Sequence, residues 1–373
     1  MNKDREFLKI AAIVAAATIG SGIFALPYIV ARAGWLLVFV YFVAFAFVIS
    51  VAHIIYLRTL RSIHERERLL GLARKYFGET GFWTGFIAIV IGLLLSFTVY
   101  LILGPQFVRI ISPAITPGVA LILFWLVVSV PVFIGDKKVI NLEELGIFLV
   151  SFVILFVFAF GHPFMAFADV PPVDFHYFFL PIGVILFSLA GWTSIEPVYG
   201  ISSGKNETKS YRKTWIAIIS GTVFAAFLYF LFAMGILGSS PITTGDILSG
   251  VFNLPLWERD IVAVIGLFAI WTASMPLSRE LRNAFEKDLR WNHSFARFII
   301  VGVPLVAVAF GFNNFLAIMS LTGGLFLSIQ YLIILSVGSR ALVFSRVQKI
   351  LLAITASVFV FAAIYSVYSF IVK

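Results

Sequence analysis

The 373-residue chain contains no cysteine. That excludes disulfides, thiolate metal sites and a cysteine nucleophile. Charge is also scarce: Asp, Glu, Lys and Arg make up 12% of the residues. A soluble domain carries roughly 25%, so most of this surface does not face water. The five histidines, His53, His64, His162, His176 and His293, are scattered along the chain. They show none of the close His and Glu spacing of a metal-dependent enzyme. Gly/Ser linkers, low-complexity tracts and a soluble domain are lacking, as is any filter-like or pore-lining charge repeat of a channel.

What the chain has in abundance is apolar length. Hydrophobic residues are 61% of the total, with 41 Phe, and the mean hydropathy is +1.05. A helix needs roughly 20 apolar residues to cross about 30 Å of hydrocarbon. Eleven such stretches are predicted, over 8–33, 35–57, 82–103, 118–135, 139–161, 179–201, 214–237, 260–278, 296–311, 313–337 and 348–371. The runs are continuously apolar rather than alternating, which favours helices over a barrel. The class is therefore an all-α polytopic membrane protein.

The charges that remain are sorted. Of the 27 Lys and Arg, 23 fall in the N-terminal tail and in the alternate connections near 58–75, 137–138, 205–213, 279–297 and 340–349. The other four are Arg32, Arg109, Arg259 and Lys373. By the positive-inside rule this predicts a cytoplasmic N-terminus and an outer C-terminus. It also explains the net charge of +9 without nucleic acid as a partner. The first span is too long for a signal peptide and runs through Pro27 almost directly into a second, so it is read as retained. The compact, tail-free form suits an archaeal or bacterial inner membrane. Arg74, Lys75 and the other basic loop residues are read as topology determinants and contacts to anionic lipid.

Two spans are interrupted near their middles. The first reads Thr18-Ile19-Gly20-Ser21-Gly22-Ile23-Phe24 with Pro27 beyond, and the sixth reads Ser188-Leu189-Ala190-Gly191-Trp192-Thr193-Ser194-Ile195-Glu196-Pro197. Glycine costs about 1 kcal/mol in a helix interior and permits unwinding. Unwinding frees N–H and C=O groups that hydrocarbon cannot satisfy, whereas a ligand, an ion or a wet cavity can. Small residues where helices cross give the same signature by close packing. The two breaks open two five-span halves, and an odd number of spans inverts the second half relative to the first. Discontinuous helices at equivalent places of an inverted repeat are a pattern of secondary transporters.

Residues 20–27, Gly-Ser-Gly-Ile-Phe-Ala-Leu-Pro, followed by Ala33-Gly34, resemble the first span of the amino acid–polyamine–organocation superfamily. The nearest branch is that of the tryptophan/tyrosine permeases and amino acid/auxin permeases. The likeness continues in order through Leu72 to Gly78, Leu180-Pro181 to Glu196-Pro197, Phe268-Ala269-Ile270-Trp271-Thr272, and Asn313-Asn314-Phe315 to Thr322-Gly323-Gly324. It implies a LeuT-type 5+5 inverted repeat, with halves 8–161 and 179–337 and an extra span at 348–371. It also implies a small-molecule amino acid substrate between spans 1, 3, 6, 8 and 10. The substrate carboxylate would meet the break of span 1 at Ile19, Gly20, Ser21, Gly22 and Ile23. There the N–H groups of Ser21, Gly22 and Ile23 sit at a positive half-helix end, and the Ser21 hydroxyl adds a donor. The ammonium would meet carbonyls of span 6 around Ser188, Leu189 and Gly191. Trp192 is read either as selector and gate or as a packing anchor.

For the coupling ion, the resemblance implies a sodium position between spans 1 and 8. The matching groups are the carbonyls of Ala16, Ile19 and Ala269 and the Thr272 hydroxyl. The next residue is Ala273, which removes one oxygen, and Ser274 is displaced about 100° around the helix. Some proton-coupled relatives place a span-5 lysine here, and span 5 has none past its start. Glu196, an acid inside span 6, is a functional candidate by default: a proton site, a gating partner of an Arg, or a solvated vestibule residue. Glu143 and Glu144 are read as interfacial, His53 as a polar packing residue, and Thr322-Gly323-Gly324 as a flexing point or a packing seam. The function expected is secondary active transport of an amino acid, aromatic or otherwise neutral, coupled to H+ or Na+. The alternatives are a carrier of an amine or nucleobase on the same fold and, further off, a membrane-embedded enzyme or a channel. No cofactor is expected beyond that possible sodium ion.

Overall fold

The computed structural model describes residues 3–63, 68–134, 136–202, 208–239 and 255–372, and among them there is no strand. Seven helices are long and apolar enough to cross a membrane: Trp35–Ile63, Leu69–Ile111, Pro181–Ser202, Tyr211–Ser239, Leu256–Asp288, Phe315–Ala341 and Arg346–Val372. Two bent helix pairs are also apolar and long enough when each is taken as one span, Asp4–Thr18 with Ser21–Ala33 at 54° and Gly146–Phe160 with Pro163–Asp169 at 63°. Shorter apolar helices, Pro117–Phe133 and His293–Ala309, stand where the fourth and ninth spans are expected. Span numbers below follow this order along the chain. Arg66, Lys205, Lys373 and most of the outer connection from Gly238 to Arg259 lie outside the described residues, as do the side chains of Lys137, Lys138, Glu143, Glu144 and Lys209.

Local chemistry sets the joints. Spans 1 and 2 meet at Gly34, whose φ of 96° suits a residue without a Cβ. The carbonyls of Pro171 and Pro172 accept hydrogen bonds from Trp35, Leu36 and Leu37 there. Gly78, at φ 65°, separates the amphipathic turns from Leu69 to Phe77 from span 3 proper. Arg340 at the end of span 10 docks those turns, donating to the Tyr76 carbonyl and lying 4.2 Å over the Phe77 ring. Arg74 pairs with Glu79 at 2.9 Å and stacks on Phe82.

In lipid there is no hydrophobic drive between helices, so close packing and hydrogen bonds hold the bundle. The first half of span 1 packs on spans 7 and 5, span 8 lies against spans 3 and 5, and the first half of span 6 lies on span 10. Spans 4 and 9 pair with each other, with the Trp125 indole donating to the Val301 carbonyl at 2.8 Å. Span 10 carries a π turn over Thr322–Leu327. A Cβ on Gly323 would lie 2.7 Å from the Phe187 nitrogen, and Gly324 abuts Ser366 of span 11. This glycine pair is thus a tight seam between spans 10, 6 and 11. Phe148, Phe152, Val223, Phe227 and Ile354 are exposed, as lipid-facing positions are. Span 11 is peripheral, with 22% of its apolar window buried.

Candidate functional site

The two interrupted spans meet at one place. In span 1 the α-helix ends at Thr18, Gly20 is extended (φ −147°, ψ −153°), and a 3-10 turn runs over Ser21–Ala25. In span 6 the α-helix Pro181–Leu189 gives way to Ala190 and Gly191, then to a 3-10 turn over Trp192–Ser194. A Cβ on Gly191 would lie 2.5 Å from the Thr18 hydroxyl, and one on Gly20 would lie 2.8 Å from the Ala273 methyl. A Cβ on Gly22 would lie 2.9 Å from the Ser188 Cα. Close helix approach and unwinding therefore coexist at the same glycines.

Two tyrosines hold the loosened backbone. The Tyr229 hydroxyl of span 7 accepts from the Gly20 N–H at 3.0 Å and donates to the Thr18 carbonyl at 2.7 Å. The Tyr331 hydroxyl of span 10 accepts from the Gly191 N–H at 3.3 Å and hydrogen-bonds His53 Nε2 at 3.1 Å. Buried N–H and C=O groups are expensive to leave unpaired, so these phenols stabilise both breaks. The Gly191 carbonyl is taken up by Ser194, whose N–H and hydroxyl both donate to it. Ile23 donates its N–H to the Gly20 carbonyl. That leaves the N–H groups of Ser21 and Gly22 leading the 3-10 turn, without an acceptor in the turn before. The Ser21 hydroxyl is buried with no hydrogen-bond partner among the described residues.

Between the breaks lies a cavity of about 40 Å³. Its wall includes Thr18, Gly20 and Gly22 of span 1, Ser96 and Tyr100 of span 3, Phe187, Ala190, Trp192 and Thr193 of span 6, and Tyr229, Leu277 and Leu327 of spans 7, 8 and 10. A pocket for an organic ligand usually spans about 300 Å³ or more. The cavity has space for about one or two waters.

Residues 3–248 match the Tryptophan/tyrosine permease family. The chain belongs to that family. Among curated protein sequences none matches this chain. Similar solved structures include the Eremococcus coleocola manganese transporter in complex with an aromatic bis-isothiourea substituted compound. It is 13% identical, with a TM-score of 0.69 over 98% of this chain and 86% of that one. The inward facing conformation of Mhp1 is 15% identical, with a TM-score of 0.62 over 97% and 88%. Mhp1, a nucleobase-cation-symport-1 family transporter, in a closed conformation with bromovinylhydantoin bound, is 16% identical, with a TM-score of 0.58 over 87% and 77%. These likenesses establish the LeuT-type all-helical fold and, with the family, a multi-pass membrane transporter rather than an enzyme. Among the described residues of this permease there is no group of three or more His, Asp or Glu placed to hold a metal.

On the side of the N-terminus the permease cavity is capped by a charged layer. Tyr56 of span 2 donates to Glu196 Oε1 at 2.7 Å, and Arg68 Nε lies 3.6 Å from Glu196 Oε2. Arg279 at the end of span 8 reaches the Thr193 carbonyl at 3.5 Å, with Glu280 buried next to it in sequence. Spans 2, 6 and 8 and the segment before span 3 are tied together here. Burying charge in this setting is costly unless it is paired, and the Glu196 carboxylate is paired with Arg68 and Tyr56.

At the expected sodium position, span 1 does meet span 8, through Gly20 and Ala273. The Thr272 hydroxyl, however, donates to the Phe268 and Ala269 carbonyls of its own helix, each at 3.0 Å. The Ser274 hydroxyl likewise donates to Trp271 O at 2.6 Å. Ala16 and Ile19 are buried, and the oxygens on offer there are backbone carbonyls and the Thr272 hydroxyl, which keeps its lone pairs while it donates.

Sequence reasoning reached the breaks and missed their keepers. Tyr229, Tyr331, Tyr56, Arg68 and Gln330 carry no local signal, because each partner lies more than a hundred residues away or on another span. A polar atom inside an apolar span was the one signal on offer. By it, Gln330 and the mid-span tyrosines stand out as groups that need a partner.

Proposed function

We propose that this permease is a secondary active transporter of an amino acid, aromatic or otherwise neutral, moved by alternating access across the cell membrane. The observation that carries the reading is the meeting of two helix breaks around one small cavity, in a chain of this family. The leading N–H groups of Ser21 and Gly22 and the orphaned Ser21 hydroxyl suit a carboxylate. The end of the broken sixth span, with the Ser188 and Leu189 carbonyls, suits an ammonium. Backbone dipoles then neutralise a zwitterion without burying a protein charge.

The two five-span halves, 8–161 and 179–337, rock against each other in this scheme, with 348–371 outside the repeat. The basic loops and the N-terminus face the cytoplasm, and the Glu196–Arg68–Tyr56 layer is the closed inner gate. Coupling runs to a proton or sodium gradient. The carboxylates of Glu196 and Glu280 are the proton candidates, and the carbonyls of Ala16, Ile19 and Ala269 with Thr272 are the sodium candidates.

The test is uptake of labelled amino acids into proteoliposomes under imposed proton or sodium gradients. Saturable, gradient-dependent uptake of at least one standard amino acid is expected. Its absence across the whole set, with uptake of an amine or nucleobase in a competition panel, overturns the substrate class.

A further inference from the structure

Trp192 is 1% exposed and forms part of the cavity wall. Its indole N–H donates to Gln330 Oε1 at 2.6 Å. Gln330 is fully buried, and its other end is fixed, with Nε2 donating to the Ala88 carbonyl of span 3 at 2.8 Å. Span 3 makes room for this amide at Gly92, where a Cβ would lie 2.7 Å from Gln330 Nε2. The amide is thus seated so that only its oxygen is offered to the Trp192 side, an acceptor with a set direction.

The neighbouring Tyr331 holds the Gly191 N–H, so adjacent residues of span 10 grip adjacent residues of the span-6 break. The grip sits directly after the π turn Thr322–Leu327.

We propose that Trp192 occupies the side-chain slot of this transporter, and that cargo displaces it and takes over its hydrogen bond to Gln330 Oε1. This rests on the amino acid reading above. A cavity of about 40 Å³ cannot admit an aromatic side chain while the indole stays in place. When the indole leaves, Gln330 Oε1 is a buried acceptor without a donor, and such a group disfavours the open slot. An incoming ring that carries its own N–H or O–H, an indole or a phenol, restores the bond. A bare phenyl ring does not. Gln330 is therefore a specificity-determining residue that selects donor-bearing aromatic side chains, by the logic that a site built for a hydrogen bond rejects the analogue lacking it.

The test measures equilibrium binding of L-tryptophan, L-tyrosine, L-phenylalanine and L-leucine to the purified full chain, by calorimetry. Wild type, Trp192→Phe and Gln330→Met are compared, each first checked for a cooperative unfolding transition. Wild type is expected to prefer tryptophan and tyrosine over phenylalanine by about tenfold or more. Trp192→Phe removes the competing donor and keeps Gln330, so tryptophan affinity rises about three- to tenfold. Gln330→Met brings the three aromatic ligands within about threefold of one another.

Unchanged tryptophan affinity in Trp192→Phe overturns the proposal, and so does a preference that survives Gln330→Met. Should Gln330→Met not fold, Trp192→Phe decides alone. Wild type that binds leucine but none of the aromatic ligands sinks this inference and leaves the amino acid reading standing. Wild type that binds no amino acid sinks both.

Discussion

Replacing Tyr229 by Phe removes one oxygen and two hydrogen bonds that span the break in span 1. The Gly20 N–H, now 3.0 Å from that oxygen, and the Thr18 carbonyl, at 2.7 Å, both lose their partner. Hydrogen bonds between membrane helices average about 0.6 kcal/mol in double-mutant cycles. A buried group left unpaired costs about 1–3 kcal/mol. The adjacent cavity of about 40 Å³ exceeds the roughly 10–15 Å³ a water needs, so a water entering from it offsets part of the loss. The range is then about 1 kcal/mol with water repair to about 4 kcal/mol without it.

At about 2.1 cal/mol/K per residue of unfolding entropy, 373 residues convert this to a fall in Tm of about 1.3–5 °C. The assay is thermal unfolding in detergent, joined with hydrogen exchange read by mass spectrometry over residues 15–25. Exchange there should rise while the rest of span 1 is unchanged. Tyr100→Phe is the control: Tyr100 lines the same cavity but takes no part in the hydrogen bonds at the break. Equal Tm values and equal exchange for wild type and Tyr229→Phe, or equal effects of the two substitutions, refute the assignment of Tyr229 as the keeper of the break.

Further outcomes follow from the same geometry. Glu196→Gln keeps an acceptor for Tyr56 but loses the charge facing Arg68, so the inner gate should open more often. Because the chain has no cysteine, Thr193→Cys on the cavity wall gives a single reporter. Its maleimide labelling from the N-terminal side should quicken several-fold with Glu196→Gln, and an unchanged rate removes the gate. Gly22→Ala should lower stability by about 1–3 kcal/mol through overpacking on Ser188, and Ser188→Gly should recover part of that loss in a double-mutant cycle. A Gly22→Ala protein as stable as wild type shows that this contact is not tight.

Much of this architecture was legible in the residues because the membrane is a severe solvent. Apolar run length located the long spans, and Gly20 and Gly191 located both breaks. Spans 4 and 9 were legible as apolar runs and are short as helices, 17 residues each, at the lower end of what a crossing needs. The double reading of the glycines, packing or unwinding, was also open in the sequence. The structure finds both at once, because a backbone that approaches another closely enough to touch it must lack a Cβ and is thereby free to unwind.

The sequence by itself determined that the chain lives in lipid, that its charges gather on alternate connections, and that its first and sixth apolar runs break near their middles. Those properties follow from local composition and spacing. Only the tertiary structure decided what satisfies the broken backbone, Tyr229 at Gly20 and Thr18 and Tyr331 at Gly191, and what the side chains beside it bind, Gln330 on Trp192 and Arg68 with Tyr56 on Glu196. The reason is that a hydrogen bond depends on distance and direction between groups up to 211 residues apart. No run of neighbouring residues encodes that geometry. It arises when the helices pack, and there the unpaired polar groups of one span find their partners on another.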